Sequence, residues 1–149
     1  MKINFYHLKS LPIGKALPKL LEKVISANFK VMIQAPSEEM VRQLNRELWT
    51  YTTKFFLPHG TKEDGFASQQ PIFITANNDN ANEATILALV SNSSVENMED
   101  FEKCIYMFDG NDEEQVKNAR LDWKKYSSLG HDLIYWQQTP KGIWQEMKS

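Results

Sequence analysis

The chain has 149 residues, a formal net charge of -2, one cysteine and six glycines. That length suits a single domain, residues 1–149, large enough to bury a real core. A composition 42% hydrophobic and 24% charged is that of a globular protein and excludes a disordered tail. One cysteine excludes an internal disulfide framework and a zinc site built on cysteine pairs, and points to a reducing cytoplasm. Near-neutral charge argues against a protein that grips nucleic acid over its whole surface.

The N-terminus, Met1 to Leu8, has no basic stretch followed by a long apolar run, so no signal peptide is expected. The longest apolar run, Ile86 to Val90, is far short of the roughly 20 residues of a membrane span. Ile3 to Leu8 reads as a buried strand and Ser10 to Gly14 as a turn. Lys15 to Asn28 has helical spacing, with Leu17, Leu20, Leu21, Val24 and Ile25 on one face. Pro18 is expected in the first turn of that helix, because deeper it would cost about 3 kcal/mol. Lys30 to Ala35 reads as a second strand. Ser37 is a good N-cap for a helix reaching Trp49, with Glu38 and Glu39 favourable to its dipole.

Thr50 to Gln70 looks irregular. Pro71 to Ala76, Thr85 to Val90 and Glu102 to Phe108 are further strands, and Asn77 to Asn82 is a polar, turn-rich surface loop between the first two. Asp112 opens a long helix to about Leu129, with Gly130 as the residue that ends it. Leu133 to Trp136 is either a last strand or a packed tail. The alternation of strand and helix predicts an α/β fold: a largely parallel sheet flanked by helices.

Such a scaffold raises the question of a nucleotide enzyme. Neither G-x-G-x-x-G nor G-x-x-x-x-G-K-[ST] occurs, and Gly14-Lys15 is explained by a turn before a helix. His7, His59 and His131 are far apart in sequence and none has metal-ligand spacing with another histidine. Cys104 lies in an apolar strand, where cysteine acts as a small hydrophobe. The carboxylate pairs Glu38-Glu39 and Glu113-Glu114 sit at helix starts, where the dipole accounts for them. No catalytic residue, metal or cofactor is expected.

Two surfaces remain. On the last helix Val116, Ala119, Trp123 and Tyr126 form a core-facing stripe. Lys117, Arg120 and Lys124 recur one step round. Residues 116–125 hold four cations against one carboxylate. Arg can hold a carboxylate through two parallel hydrogen bonds, Lys adds point charge and an aromatic ring covers an apolar anchor, so this face suits an acidic peptide or terminal carboxylate. It is too small for duplex DNA. The second surface, Trp49 to His59, carries Trp49, Tyr51, Phe55 and Phe56 without periodicity. It is either folded back onto the core or a contact patch for a partner.

An ordered set of motifs then resembles a known family over nearly the whole chain. The set comprises Phe5-Tyr6-x-Leu8, Lys30-Val31-Met32-Ile33, Leu48-Trp49, Phe56-Leu57-Pro58-His59, Pro71-Ile72-x-Ile74, and the closing helix with Ala119-Arg120, Trp123-Lys124, Tyr126 and Gly130. It is similar to the chi subunit of bacterial DNA polymerase III. The resemblance implies a non-catalytic replication subunit with a nucleotide-binding-like fold and no nucleotide. It implies binding of the acidic C-terminal tail of single-stranded DNA-binding protein at Arg120, Trp123 and Lys124, with Lys117 beside them. It also implies a partner surface at Trp49, Phe56 and Pro58 for the psi subunit, another clamp-loader subunit or a helicase. DNA would be contacted only indirectly and a membrane not at all.

This chain departs from the family pattern at two positions. Val116 stands where a lysine is common, and Lys117 follows it, about 100° round the helix. Trp123 stands where a tyrosine is common, which keeps the ring and replaces the hydroxyl with an indole N–H. Two rival readings are a small nucleotide-dependent enzyme on the same scaffold and direct binding of single-stranded DNA by Trp123 and the basic stripe.

Overall fold

The computed structural model describes residues 1–51 and 58–147. Among the described residues eight strands form one open sheet: β1 (Lys2–Leu8), β2 (Val31–Gln34), β3 (His59–Gly60), β4 (Ile72–Thr75), β5 (Ile86–Val90), β6 (Lys103–Asp109), β7 (Asp132–Gln138) and β8 (Trp144–Glu146). Their order is β3-β4-β2-β5-β6-β1-β7-β8, parallel throughout except for the antiparallel β7–β8 pair. Three helices, α1 (Ile13–Ser26), α2 (Glu38–Thr50) and α3 (Glu113–Ser128), cover it. This is the expected α/β architecture.

The central strands are apolar at almost every position because both faces are covered. Val31, Ile33, Ile72, Ile74, Ile86, Ala88, Ile105 and Met107 pack with Leu17, Leu21, Val41, Leu44 and Leu48 of α1 and α2. The alternate residues Ile3, Phe5, Met32, Leu87, Leu89, Cys104, Tyr106 and Phe108 pack with Ala119 and Tyr126 of α3. The strand period of two thus divides the hydrophobic residues between two cores.

The helix ends follow local chemistry. Ser37 Oγ accepts from the Met40 N–H at 3.2 Å. Asp112 Oδ1 accepts from the Glu114 and Gln115 N–H groups at 3.0 and 3.2 Å. At the far end of α3, Gly130 takes φ 89. Its N–H reaches Ser127 O and that of His131 reaches Tyr126 O, which closes the helix.

Two expectations need correction, and a third, open between strand and tail, resolves as strand. α1 begins at Ile13, not Lys15, so Pro18 lies in its second turn and cannot donate to the Gly14 carbonyl. Pro18 is buried, and apolar burial against the sheet offsets the lost bond. The Asn77–Asn82 loop is not wholly a surface loop. Asn82 is fully buried, and its amide donates to Val31 O at 3.1 Å and Gln70 O at 2.9 Å. Those carbonyls need a partner once covered. Leu133 to Trp136 is the middle of a strand, and β8 follows it unforeseen. Trp144 holds β8 down by packing edge-on against Tyr6 at 5.0 Å.

β1 and β6 are neighbours, yet the chain leaves them in opposite directions, through α1 toward β2 and through α3 toward β7. In open α/β sheets this divergence opens a crevice at the strand C-termini, the usual place for a ligand.

Candidate functional site

α3 lies on the sheet as its spacing predicts. Ala119 and Tyr126 are buried, Val116 and Trp123 half-buried, and Lys117, Arg120 and Lys124 exposed. The Trp123 ring meets Phe5 at 5.1 Å and Tyr135 at 5.6 Å, both edge to face, which fixes its plane. The carboxylate in this stretch, Asp122, accepts the Tyr106 hydroxyl proton on the core side of the helix. It is thereby committed inward.

A cavity of about 590 Å³ opens beside Trp123. Arg120, Trp123 and Lys124 line it from α3, Leu133, Ile134 and Tyr135 from β7, and Glu146 and Met147 from the end of β8. Sequence reasoning found the helix side of this groove and missed the opposite wall. The short apolar run Leu133-Ile134-Tyr135-Trp136 was its available signal. The β8 wall had none, because Trp144–Glu146 is too short to show a period.

Lys117 does not share that cavity. It lines a second one, of about 620 Å³, with His7, Lys9, Gly110, Glu113, Val116, Arg120 and Leu121. This is the crevice at the ends of β1 and β6. Arg120 borders both cavities. Neither His7 nor Lys9 stood out in sequence, since both belong to β1 and its exit, about a hundred residues away.

Gly110 is required in this crevice. A Cβ there would lie 2.1 Å from His7 Cδ2 and 2.2 Å from the Leu8 carbonyl oxygen. His7 hydrogen-bonds the Gly110 backbone, and its Nδ1 lies 2.6 Å from the Tyr135 hydroxyl. Burial, then the charges of Lys9 and Arg120, push the imidazole pKa below its ordinary value of 6.5. Neutral His7 with its proton on Nε2 accepts from Tyr135, tying one cavity wall to the other.

Trp49, on the last turn of α2, is 58% exposed, and its ring meets the His59 imidazole edge-on at 4.9 Å. Pro58 adjoins His59 and is half-buried. Trp49 therefore stands against His59 of β3, at the edge of the sheet, and Pro58 precedes that strand in sequence. Phe56 lies outside the described residues. Phe66 was not singled out in sequence; it is 74% exposed with a left-handed backbone, φ 53.

The first strand-to-helix loop is already filled. Successive backbone N–H groups of this kind form an anion-binding concavity. Here those of Lys9, Ser10 and Leu11 all donate to Gln138 Oε1, at 3.1, 3.0 and 3.0 Å. At the start of α1 the Glu47 carboxyl packs against Gly14, 1.9 Å from where a Cβ would stand. A phosphate arriving there would meet a carboxylate. Cys104 is fully buried, and burial pushes its thiol pKa up. Among the described residues no group of three or more His, Cys, Asp or Glu could hold a metal, and no helix is long and apolar enough to cross a membrane.

The family model described as "DNA polymerase III chi subunit, HolC" matches residues 1–134. The chain belongs to the DNA polymerase III chi subunit family. A protein of Rickettsia prowazekii (strain Madrid E) named "Probable DNA polymerase III subunit chi" is 29% identical over 153 residues, covering 98% of this chain and 92% of that one. Membership sets the chain in DNA replication, as an accessory subunit of that polymerase. The family match ends at residue 134, so Tyr135, Glu146 and Met147 of the groove wall lie beyond it.

Proposed function

We propose that this chi subunit is a non-catalytic cytoplasmic adaptor. It binds the acidic C-terminal tail of single-stranded DNA-binding protein in the groove beside α3. It joins the clamp loader, through psi or another subunit, by the Trp49, Phe56 and Pro58 surface. One observation carries the reading: Arg120 and Lys124 stand on the rim of a cavity walled by Trp123, Leu133, Tyr135 and Met147. A terminal carboxylate and an apolar last side chain need that combination within one residue's reach.

The test is calorimetry with an acidic, Phe-terminated peptide. Arg120→Ala should weaken binding by about 1–3 kcal/mol, as for loss of a charged hydrogen bond. Unchanged affinity would refute the assignment of the site.

The nucleotide-enzyme reading is disfavoured by Gln138 and Glu47, which fill the two places where phosphate would be held. A thermal-shift screen with ATP, GTP and NAD checks it, since a ligand at 100 times its Kd adds about 2.7 kcal/mol. Direct stacking of bases on Trp123 is disfavoured because Phe5 and Tyr135 already engage that ring. Naked oligonucleotide should not bind at physiological salt.

A further inference from the structure

The sheet face that carries α1 and α2 is left partly bare. β1 pairs in parallel with β6 and β7, and strands in such a sheet are normally covered on both faces. α3 covers one face through Ala119 and Tyr126. On the other, α1 buries Leu17 and Leu21. Beyond α1, Tyr6, Trp136 and Trp144 stay half-buried, with no helix over them among the described residues. Tyr6 stacks on Trp136 at 6.5 Å, and the Trp136 indole donates to Asn4 Oδ1 at 3.2 Å, so these rings are held in place.

A cavity of about 270 Å³ lies between α1 and these strands. Tyr6, Val24, Phe29 and Ile105 give it an apolar lining, Lys23 and Lys103 give it charge, and no carboxylate among the described residues lines it. Lys2 stands beside Lys103 in the strand register, with Asp132 on its other side. Lys2 thus has a carboxylate at hand, whereas the Lys103 ammonium lies 6.0 Å from the centre of the Phe29 ring. The cavity is smaller than the roughly 300–1,000 Å³ of a small-molecule site, and suits one or two side chains of a larger partner.

We infer that this groove receives an acidic amphipathic helix of a partner protein, which completes the helical layer over β1. The layer architecture calls for a helix there. Its apolar anchors at i and i+3 or i+4 fill the cavity, and carboxylates on its flanks meet Lys23 of α1 and Lys103 of β6. The groove lies on the opposite face of the sheet from Trp123, and β1 is five strands from β3, about 24 Å away. Its occupant therefore displaces nothing from the other two surfaces.

The experiment titrates the full chain at low salt with two fluorescent helical peptides of about 15 residues, alike in a leucine stripe. One carries glutamates beside the stripe and the other lysines in their place. Wild type should bind the glutamate peptide more tightly, and the preference should shrink at high salt. Lys23→Ala/Lys103→Ala should lose about 3–10-fold of that preference, as for two exposed charge contacts. Phe29→Ala should weaken both peptides, and Arg120→Ala should bind both as wild type does. Lys23, Phe29 and Lys103 are exposed, so folding is not at stake. Lost binding in Arg120→Ala would put the peptide on α3 and overturn the inference. Equal affinity for the two peptides, no binding of either, or an unaltered preference in the double lysine variant would overturn it too. A wild-type chain that sediments as a dimer, and as a monomer in that variant, would overturn it in favour of a second copy.

Discussion

Gln138→Ala should destabilise the protein strongly for a single polar change. Gln138 is 1% exposed, and its Oε1 accepts from three consecutive backbone N–H groups. Each such bond contributes roughly 0.5–1.5 kcal/mol net, so three give about 1.5–4.5 kcal/mol. Lys9 and Ser10 are exposed, so water can reach part of the loop, which favours the lower half of that range. In a chain of this length about 1 kcal/mol corresponds to roughly 2–4 °C in Tm, which makes the expected loss about 3–12 °C. Urea melts and calorimetry read it directly. Gln138→Glu keeps an acceptor oxygen and should lose less than Gln138→Ala. If Gln138→Ala melts with wild type, the loop is not held by this side chain. The account of why it takes no phosphate would then fail too.

Changing Trp49 and Phe56 together should abolish pull-down of a clamp-loader partner while the acidic peptide still binds; retained pull-down would refute the partner surface, and loss of both would indicate misfolding instead. Asn82→Ala removes two hydrogen bonds made by a fully buried amide, so urea unfolding should show a loss of about 1–3 kcal/mol. His7 is held below its ordinary pKa, so between the folded and unfolded values the unfolded chain binds more protons. Stability from this group is therefore present above 6.5 and lost as pH falls through that value toward the folded one. Urea midpoints followed from about pH 7.5 down to about pH 5 should fall less steeply in His7→Gln than in wild type, and equal slopes would remove His7 from that account.

Strand-helix alternation, both core faces and the caps Ser37, Asp112 and Gly130 were legible because each depends on residues within a few positions. The stripe of Lys117, Arg120 and Lys124 was legible for the same reason, since helical geometry alone places them on one side. Pro18 was misplaced because its local cost is outweighed by burial that only the packed sheet supplies. Asn82 and Gln138 looked like ordinary polar residues, yet each serves backbone groups brought to it from distant segments. The charge of -2 described the whole surface correctly and concealed its distribution. The sequence by itself determined an α/β domain with a basic helix face. Only the tertiary structure decided what that face adjoins: a cavity closed by β7 and β8, and a crevice that adds Lys9 and His7. The physical reason is that a helix repeats over a few residues, whereas strand order joins segments more than a hundred residues apart.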